Sequence, residues 1–316
     1  MSYDFDGEYE AILQILPTTA TFTNIEAARS FQAANGERVA ATLNTTGLTI
    51  SSHEIPGLPG EPPVTVHVYR SSNVTPNAPC VLRIHGGGFA VGSVMTDLPI
   101  TVGFAQFLPA VFVSVEYRLA PEHPYPAALM DCAAALQWIH AESTTLGIDV
   151  NRVALFGTSA GAGLAAGLAL FNRDGAQLPI AFQLLDIPEL DDRLETFSMR
   201  SYVDTPVWNR PNAELSWQYY LHGLSGEVPI YAAPARAETL ENLENLPPAY
   251  ISVMEFDPLR DEGIAYATTL MRSGVHVELH AYPGTFHGSI LEPRADVSKR
   301  ILLEHMAALS RALRIS

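Results

Sequence analysis

The hydrophobic residues of this chain fall mostly into apolar runs of strand length, separated by longer stretches with helical periodicity. From residue 47 onward the runs predict strands at 65–69, 81–85, 111–116, 153–156, 180–185, 249–254 and 275–280. The helical patterns predict helices at 127–141, 160–170, 261–271 and 297–313. Such alternation predicts an α/β fold with a mostly parallel central sheet flanked by helices. The β-rich stretch 47–70 is expected to add an antiparallel edge to this sheet.

Two segments do not follow the alternation and divide the chain. Residues 1–45 carry two helical patterns, and residues 187–236 form an insertion with several prolines and the aromatic residues Phe197, Tyr202, Trp208, Trp217, Tyr219 and Tyr220. Helical elements added at one edge of an α/β sheet tend to cover the ligand crevice at the strand carboxyl ends. We therefore expect a helical cap from these two segments over a catalytic domain formed by 46–186 and 237–316.

Charge and cysteine content narrow the kinds of partner. The 316 residues carry a formal net charge of −16, which disfavours nucleic acid, anionic membrane surfaces and anionic substrates. No run approaches the roughly 18 apolar residues of a membrane span, and the acidic start shows no secretory pattern, so a cytoplasmic protein is expected. Cys80 and Cys132 are too few for a disulfide framework or a thiolate metal site and are predicted to be buried hydrophobes.

A candidate nucleophile lies in the sequence GTSAG at residues 157–161. The motif follows the predicted strand 153–156 and opens the predicted helix 160–170. This is the setting of a nucleophile elbow, in which a sharp turn holds the serine hydroxyl out of the sheet. Side chains at Gly157 or Gly161 are expected to collide with the backbone. The alternative, a glycine-rich helix start capped by Ser159, explains the motif less well in this setting.

A serine hydroxyl needs a neighbouring base and an acid that orients the base. In α/β folds with a nucleophile elbow the three residues follow along the chain in the order Ser, acid, His. The histidines beyond the serine are His222, His276, His280, His287 and His305. Only His287 lies in the predicted loop 282–288 after the last predicted strand, which makes it the candidate base. Asp257 follows the predicted strand 249–254 and is the candidate acid, with Glu255 and Asp261 as alternatives.

Three consecutive glycines follow the apolar run 81–85 in the sequence HGGGF. Glycine loses more conformational freedom on folding than any other residue, so three in a row lower stability. The run therefore indicates that the backbone needs unusual dihedrals or a close approach to a ligand. Acyl transfer places negative charge on a carbonyl oxygen, and backbone N–H groups can hold it there, including that of Ala160 behind the nucleophile. A phosphate-binding loop is excluded, since no G-x-x-x-x-G-K-[ST] or G-x-G-x-x-G pattern occurs.

Five motifs in register resemble the hormone-sensitive lipase family of microbial carboxylesterases: HGGGF at 85–89, YRLAPEHPYPAAL at 117–129, GTSAG at 157–161, DPLRDEG at 257–263 and HG at 287–288. The resemblance spans most of 47–316 and implies an α/β-hydrolase fold with a helical cap. It implies a triad of Ser159, Asp257 and His287, and oxyanion donors at Gly87, Gly88 and Ala160. His85 would orient the loop and Gly86 would permit its turn. A homodimer is also consistent with the resemblance.

One position departs from the commonest pattern of the family. Many relatives have Asp directly before the nucleophile, whereas this chain has Thr158, like the smaller GTSAG branch. The residue is outside the triad, so the chemistry is expected to survive. The change bears on the local polar network and on contacts between subunits.

The function these motifs predict is hydrolysis of short- to medium-chain, uncharged carboxylic esters through an acyl-enzyme, without a metal or organic cofactor. Two alternatives share the scaffold. One is an amide or aryl-acylamide hydrolase with the same triad, and the other is a ligand-binding receptor, against which the presence of Asp257 and His287 argues. A bulky residue at Gly87 or Gly88 is expected to lower kcat far more than it impairs folding.

Overall fold

The strands form one eight-stranded sheet in the computed structural model, which describes residues 3–19, 21–239 and 242–315. The strands are β1 (Leu48–Ile55), β2 (Val64–Ser71), β3 (Ala78–Ile84), β4 (Val111–Glu116), β5 (Ile148–Thr158), β6 (Phe182–Asp186), β7 (Ala249–Phe256) and β8 (Val277–Phe286). Their order across the sheet is β1-β2-β4-β3-β5-β6-β7-β8. β1 pairs with β2, and β2 with β4, in antiparallel register; every later pair is parallel. The predicted α/β fold and its antiparallel edge are confirmed.

Helices cover both faces of this sheet. They are α1 (Glu10–Leu13), α2 (Ile25–Ala40), α3 (Val94–Phe107), α4 (Ala127–Ala141), α5 (Ser143–Leu146), α6 (Ala160–Asp174), α7 (Phe197–Ser201), α8 (Arg210–Tyr220), α9 (Arg260–Arg272) and α10 (Asp296–Ala312). Alternate residues of each central strand face opposite sides. One side packs against α4, α6 and α9, and the other against α3 and α10. No helix in the described ranges is long and apolar enough to cross a membrane.

The parallel part of the sheet gathers the candidate residues at one edge. Strands β3, β5, β7 and β8 run in the same direction, and each ends directly before a residue singled out by its motif. These residues are His85, Ser159, Asp257 and His287. Since the carboxyl ends of parallel strands meet at the same edge, the topology alone brings the four residues into one region.

Two of the longer elements differ most from the prediction. Helix α3 was not predicted, because it is apolar on nearly all sides and contains Pro99, which hides the periodicity of an amphipathic helix. Strand β8 continues through Pro283 and Gly284, which had indicated a loop. It is an edge strand, where a missing N–H is tolerated, and it pairs with β7 as far as Phe286, so the loop prediction for 282–286 was wrong.

The segments 1–45 and 187–236 contact each other. The ring of Phe22 meets the ring of Trp208 edge to face at 5.2 Å between centroids, and the Phe22 N–H donates to Asn212 Oδ1 at 3.2 Å. Tyr219 donates its hydroxyl to the Phe22 carbonyl at 3.0 Å. On the other side, Arg29 of α2 donates to the carbonyl of Ala90, 2.8 Å away, in the segment that follows the glycine loop. The two irregular segments are thereby joined to each other and to the sheet edge that holds the candidate site.

Both cysteines are unpaired and buried, as predicted, Cys80 in β3 and Cys132 in α4. Burial raises the pKa of the Cys80 thiol to about 12. Neither thiol has thiolate character at neutral pH, which fits two small hydrophobic core residues.

Candidate active site

Ser159 lies on a sharp turn between β5 and α6. Its backbone has φ 57° and ψ −123°, a conformation that a residue with a side chain adopts only when the surroundings enforce it. A Cβ on Gly157 would lie 2.1 Å from the Gly161 carbonyl oxygen, and one on Gly161 would lie 2.3 Å from the His85 carbonyl oxygen. The predicted collisions are therefore confirmed. The two glycines let helix, strand and loop approach closely enough to hold the turn.

His287 and Asp257 complete a hydrogen-bonded chain that starts at Ser159. The Ser159 hydroxyl lies 3.0 Å from His287 Nε2, and His287 Nδ1 donates to Asp257 Oδ2 at 2.7 Å. All three side chains are buried. Asp257 Oδ1 accepts the N–H of Leu259 at 2.9 Å, which holds the second carboxylate oxygen in place. The carboxylate holds the proton on Nδ1, so Nε2 presents its lone pair to the serine hydroxyl.

The two alternative acids are occupied elsewhere. Glu255 Oε2 accepts the N–H of Gly284 at 2.7 Å, which ties β7 to β8. Asp261 pairs with Arg260 and accepts the N–H of Ser198 at 2.8 Å, at the start of α7. Among the described residues neither carboxylate bonds to a histidine, so the geometry favours Asp257.

The glycine loop lies against the elbow. A Cβ on Gly86 would lie 2.9 Å from the Thr158 carbonyl oxygen and 3.3 Å from Ser159 Cβ. Gly87 and Gly88 have φ values of 128° and 52°, which favour glycine. Within the described ranges their N–H groups donate to no protein acceptor, and Ala160, as the first residue of α6, has no intrahelical partner for its N–H. Three backbone donors are thus free beside the serine.

His85 fixes the start of this loop. Burial lowers the pKa of its imidazole to about 4, so the ring is neutral near pH 7. Its Nδ1–H donates to the Gly86 carbonyl at 2.8 Å, and the ring stacks on Tyr117 at 4.1 Å between centroids. Tyr117 in turn donates its hydroxyl to the His85 carbonyl at 2.9 Å. These contacts hold the backbone carbonyls of His85 and Gly86, the first two residues of the loop, in place.

Aromatic side chains from the two irregular segments cover the site. The ring of Trp208 lies 5.7 Å from the ring of His287. A Cβ on Gly88 would lie 2.6 Å from both Trp208 Cη2 and Phe22 Cε2, so both rings lie directly over the glycine loop. Trp208 was among the predicted cap aromatics, whereas Phe22 was not singled out. No local sequence signal distinguishes Phe22 from the other aromatic residues, because its position depends on long-range packing.

Two polar residues beside the site were also missed. Ser216 of α8 donates its hydroxyl to the Gly88 carbonyl at 3.0 Å. Glu189 is fully buried and donates its N–H to the Ser159 carbonyl at 3.2 Å. Burial, with a smaller contribution from the nearby Asp257 charge, raises the pKa of Glu189 to about 8. An acidic residue in the apolar stretch Ile187-Pro188-Glu189-Leu190 was the one available signal of a buried carboxyl group.

A serine on a strained elbow, a histidine between it and an aspartate, and a glycine loop at the edge of a mostly parallel sheet define an α/β-hydrolase. A model of the alpha/beta hydrolase fold family matches residues 81–291. The chain belongs to that family, in its hormone-sensitive lipase-like group of carboxylic ester hydrolases, and the resemblance drawn from the five motifs is confirmed.

Named relatives agree over nearly the whole chain. Carboxylesterase NlhH of Mycobacterium tuberculosis is 35% identical over 98% of this chain and 97% of that protein. The solved structure of a bacterial heroin esterase is 48% identical, with a TM-score of 0.94 and 98% of each chain covered. Esterase LipW from Mycobacterium marinum is 37% identical, with a TM-score of 0.89 over 98% of this chain and 96% of that one.

Proposed function

We propose that this chain hydrolyses short- to medium-chain carboxylic esters, with Ser159 as nucleophile, His287 as general base and acid, and Asp257 as the residue that orients the imidazole. The observation that carries the proposal is the continuous chain from Ser159 Oγ through His287 to Asp257, with separations of 3.0 Å and 2.7 Å. The esterase names of the relatives support the same class of reaction.

In the first step the Ser159 hydroxyl attacks the ester carbonyl carbon while His287 Nε2 takes the hydroxyl proton. The imidazolium that forms is stabilised by the Asp257 carboxylate and then gives its proton to the departing alcohol. An acyl-serine remains. In the second step His287 takes a proton from water, the resulting hydroxide attacks the acyl carbon, and the proton returns to Ser159 as the acid leaves.

In the same proposal the N–H groups of Gly87, Gly88 and Ala160 hold the oxyanion in both steps. The positive φ values of the two glycines and the free N–H groups support this assignment. His85 and Gly86 act on the loop and not on the proton. With its pKa near 4 and its Nδ1–H held by a carbonyl, His85 is poorly suited to take up a proton at neutral pH.

The segments 1–45 and 187–236 act as the cap in this proposal, and they favour small uncharged substrates. Phe22 and Trp208 narrow the space above Gly88, and the side chains of Ser159 and His287 are both buried beneath this cover. A closely covered apolar site suits an ester with a short or medium acyl chain better than a fat droplet. The homodimer and the cytoplasmic location expected from the sequence stay predictions.

The test compares Ser159→Ala with the parent on p-nitrophenyl esters from acetate to laurate and on the matching p-nitroanilides. Ser52→Ala, at an exposed position of β1, is the control. We expect Ser159→Ala to lose at least about 10⁴-fold in kcat, the control to be unchanged, and the parent to prefer the shorter esters. Unchanged ester turnover in Ser159→Ala contradicts the mechanism, faster anilide turnover points to an amidase, and no turnover of either series points to a receptor.

A further inference from the structure

Beneath the elbow lies a polar network that the proposed mechanism does not use. It connects strands β3, β5, β6 and β7 with helices α3 and α10. Its members are Arg83, Asp97, Thr101, Thr158, Asp186, Ser252 and His305. Thr158, the residue directly before the nucleophile, is its midpoint.

The cationic half of the network is Arg83, which is 1% exposed. Its guanidinium makes a bidentate pair with Asp97, at 2.7 Å and 2.6 Å, and lies 4.0 Å above the ring of Phe156. The second N–H of Nη2 donates to Thr158 Oγ1 at 2.9 Å, and Nη1 donates to the Phe156 carbonyl at 3.2 Å. The guanidinium is planar and its donors have fixed directions, so Arg83 holds the Thr158 hydroxyl in a defined place.

The anionic half is Asp186, at the end of β6. Its carboxylate accepts the Ser252 hydroxyl at 2.8 Å and the Thr158 hydroxyl at 3.4 Å. Its backbone carbonyl accepts the N–H of Ser159 at 2.8 Å. Ser252 Oγ also lies 3.1 Å from His305 Nε2, which supplies the donor on the far side. Asp186 is therefore hydrogen-bonded to Thr158 through its carboxylate and to Ser159 through its backbone carbonyl.

A threonine hydroxyl meets both demands at position 158 because it accepts from Arg83 and at the same time donates to Asp186. Valine has the same shape but can do neither. Aspartate can accept from Arg83 but places a second carboxylate beside Asp186. Like charges at such a distance in a buried site are unfavourable.

The strained backbone of Ser159 is the reason why the hydrogen bonds of its neighbour Thr158 matter. A residue held in a sparsely populated conformation stays there only when its neighbours are fixed. We propose that Thr158 is a positioning residue, whose hydroxyl, bonded between Arg83 and Asp186, holds the elbow so that Ser159 Oγ stays within reach of His287. We also infer that Asp186 selects Thr over Asp at this position. The proposal rests on the proposed role of Ser159.

The first test compares Thr158→Val, Thr158→Ser and Thr101→Val. Thr101 is the matched control, since its hydroxyl donates to Asp97 Oδ2 at 3.1 Å in the same network but away from the elbow. We expect Thr158→Val to lower kcat about 10- to 100-fold at a nearly constant KM, because a displaced nucleophile loses its near-attack geometry. Thr158→Ser is expected to restore most of kcat, and Thr101→Val to lower the melting temperature with kcat nearly unchanged.

Either of two results overturns the positioning role. One is an unchanged kcat in Thr158→Val. The other is an equal loss of kcat in the two valine variants, which makes the network merely structural. The rate of labelling by a fluorophosphonate is measured in parallel, because it reports the nucleophile without an ester substrate. If Ser159→Ala is labelled as fast as the parent, the proposed role of Ser159 itself fails, which separates that failure from the failure of the role of Thr158.

The second test is a double-variant cycle with Thr158→Asp and Asp186→Asn. We expect Thr158→Asp to lower kcat at least about 10-fold, and Asp186→Asn in that background to recover much of the loss, because an amide can donate to the new carboxylate. Losses that simply multiply, or a fully active Thr158→Asp, overturn the inference that Asp186 selects the residue at 158. A Thr158→Asp protein that folds only with Asp186→Asn supports it.

Discussion

The two sides of Ser159 are built in different ways. Below Ser159, the contacts are between backbones and polar groups: Gly157 against Gly161, and Thr158 between Arg83 and Asp186. Above it, the contacts are between aromatic rings that come from distant parts of the chain, Phe22 and Trp208 among them. The lower side tolerates almost no change of shape, whereas the upper side can exchange one apolar group for another at modest cost.

This difference assigns the two sides different tasks. Catalysis needs reacting atoms held within fractions of an ångström, and directional hydrogen bonds and close backbone contacts supply that. Selection among substrates needs a shaped apolar space, which ring packing supplies without fixing any reacting atom. Changes below Ser159 are therefore expected to act on kcat, and changes above it on the range of substrates.

After Ser159→Ala, the largest effect is expected when Asp257 is changed to Asn. The shape is kept, but the amide presents an N–H to His287 Nδ1 as readily as a carbonyl, which releases the imidazole from its productive tautomer. We expect kcat for p-nitrophenyl butyrate to fall about 10⁴-fold at nearly unchanged KM and thermal stability.

The alternative acids serve as controls for that change. Glu255→Gln and Asp261→Asn each remove one negative charge close to the site without touching His287. Both are expected to retain activity within about tenfold of the parent. If either of them loses as much activity as Asp257→Asn, the assignment of the acid is wrong and the rigid lower side extends further than the hydrogen bonds indicate.

The next effect in size is expected at Gly88, where the two sides meet. A Cβ there would be 2.6 Å from Phe22 and Trp208, so Gly88→Ala must displace a ring, shift the loop, or both. A shift of one oxyanion donor costs about 10²- to 10³-fold in kcat. Steady-state kinetics and a melting curve on the same preparation measure the loss. An unchanged kcat in a folded Gly88→Ala contradicts the oxyanion role.

Gly87 behaves differently, which corrects one expectation from the sequence. A Cβ there would lie 2.1 Å from the carbonyl oxygen of Val91, a backbone atom that cannot move aside. The φ of 128° is also unfavourable for a residue with a side chain. Gly87→Ala is therefore expected to impair folding as well as turnover, so Gly88 is the position that isolates the chemistry.

The sequence was informative wherever structure depends on near neighbours. Helix α4 has the predicted bounds because its sequence is rich in Ala and Leu, which favour helix. Ser159, Asp257 and His287 follow strand ends that the apolar runs mark. The elbow was recognisable because its glycines are required by contacts with adjacent backbone. In these places the local pattern and the tertiary structure agree.

Contacts between segments that are distant in the sequence could not be predicted from the local sequence pattern. Phe22 lies over Gly88 only because Asn212 and Tyr219, far along the chain, hold its backbone. The polar network around Thr158 joins residues from four strands and two helices, and of these residues only Thr158 lies in a recognised motif. Contacts of this kind depend on the register between elements, which a single sequence does not specify.

The smallest effect on rate is expected at Glu189, which also lies where the two sides meet. Its N–H bonds the Ser159 carbonyl from below, and its carboxyl group lies beside Ser216 of α8, whose hydroxyl donates to Gly88. Because burial raises its pKa to about 8, the folded protein keeps this group neutral at neutral pH. Glu189→Gln preserves shape and neutrality, so we expect kcat at neutral pH within about threefold of the parent.

The stability of that variant should nevertheless depend on pH in a different way from the parent. Between the unfolded pKa of about 4.3 and the folded pKa of about 8, the unfolded chain releases a proton that the folded chain retains. The stability contributed by the raised pKa is complete below about pH 4.3 and is lost as pH rises toward about 8, by at most about 1.4 kcal/mol per pH unit. Glutamine has no such dependence, so the free energy of unfolding of Glu189→Gln should rise relative to that of the parent as pH rises.

Urea unfolding from about pH 5 to about pH 8 measures this relative increase, with Glu214→Gln on the exposed side of α8 as the control. Parallel pH curves for the parent and Glu189→Gln would show that the carboxyl group is ionised in the folded protein, and that a charge is tolerated between Ser159 and the aromatic side chains above it.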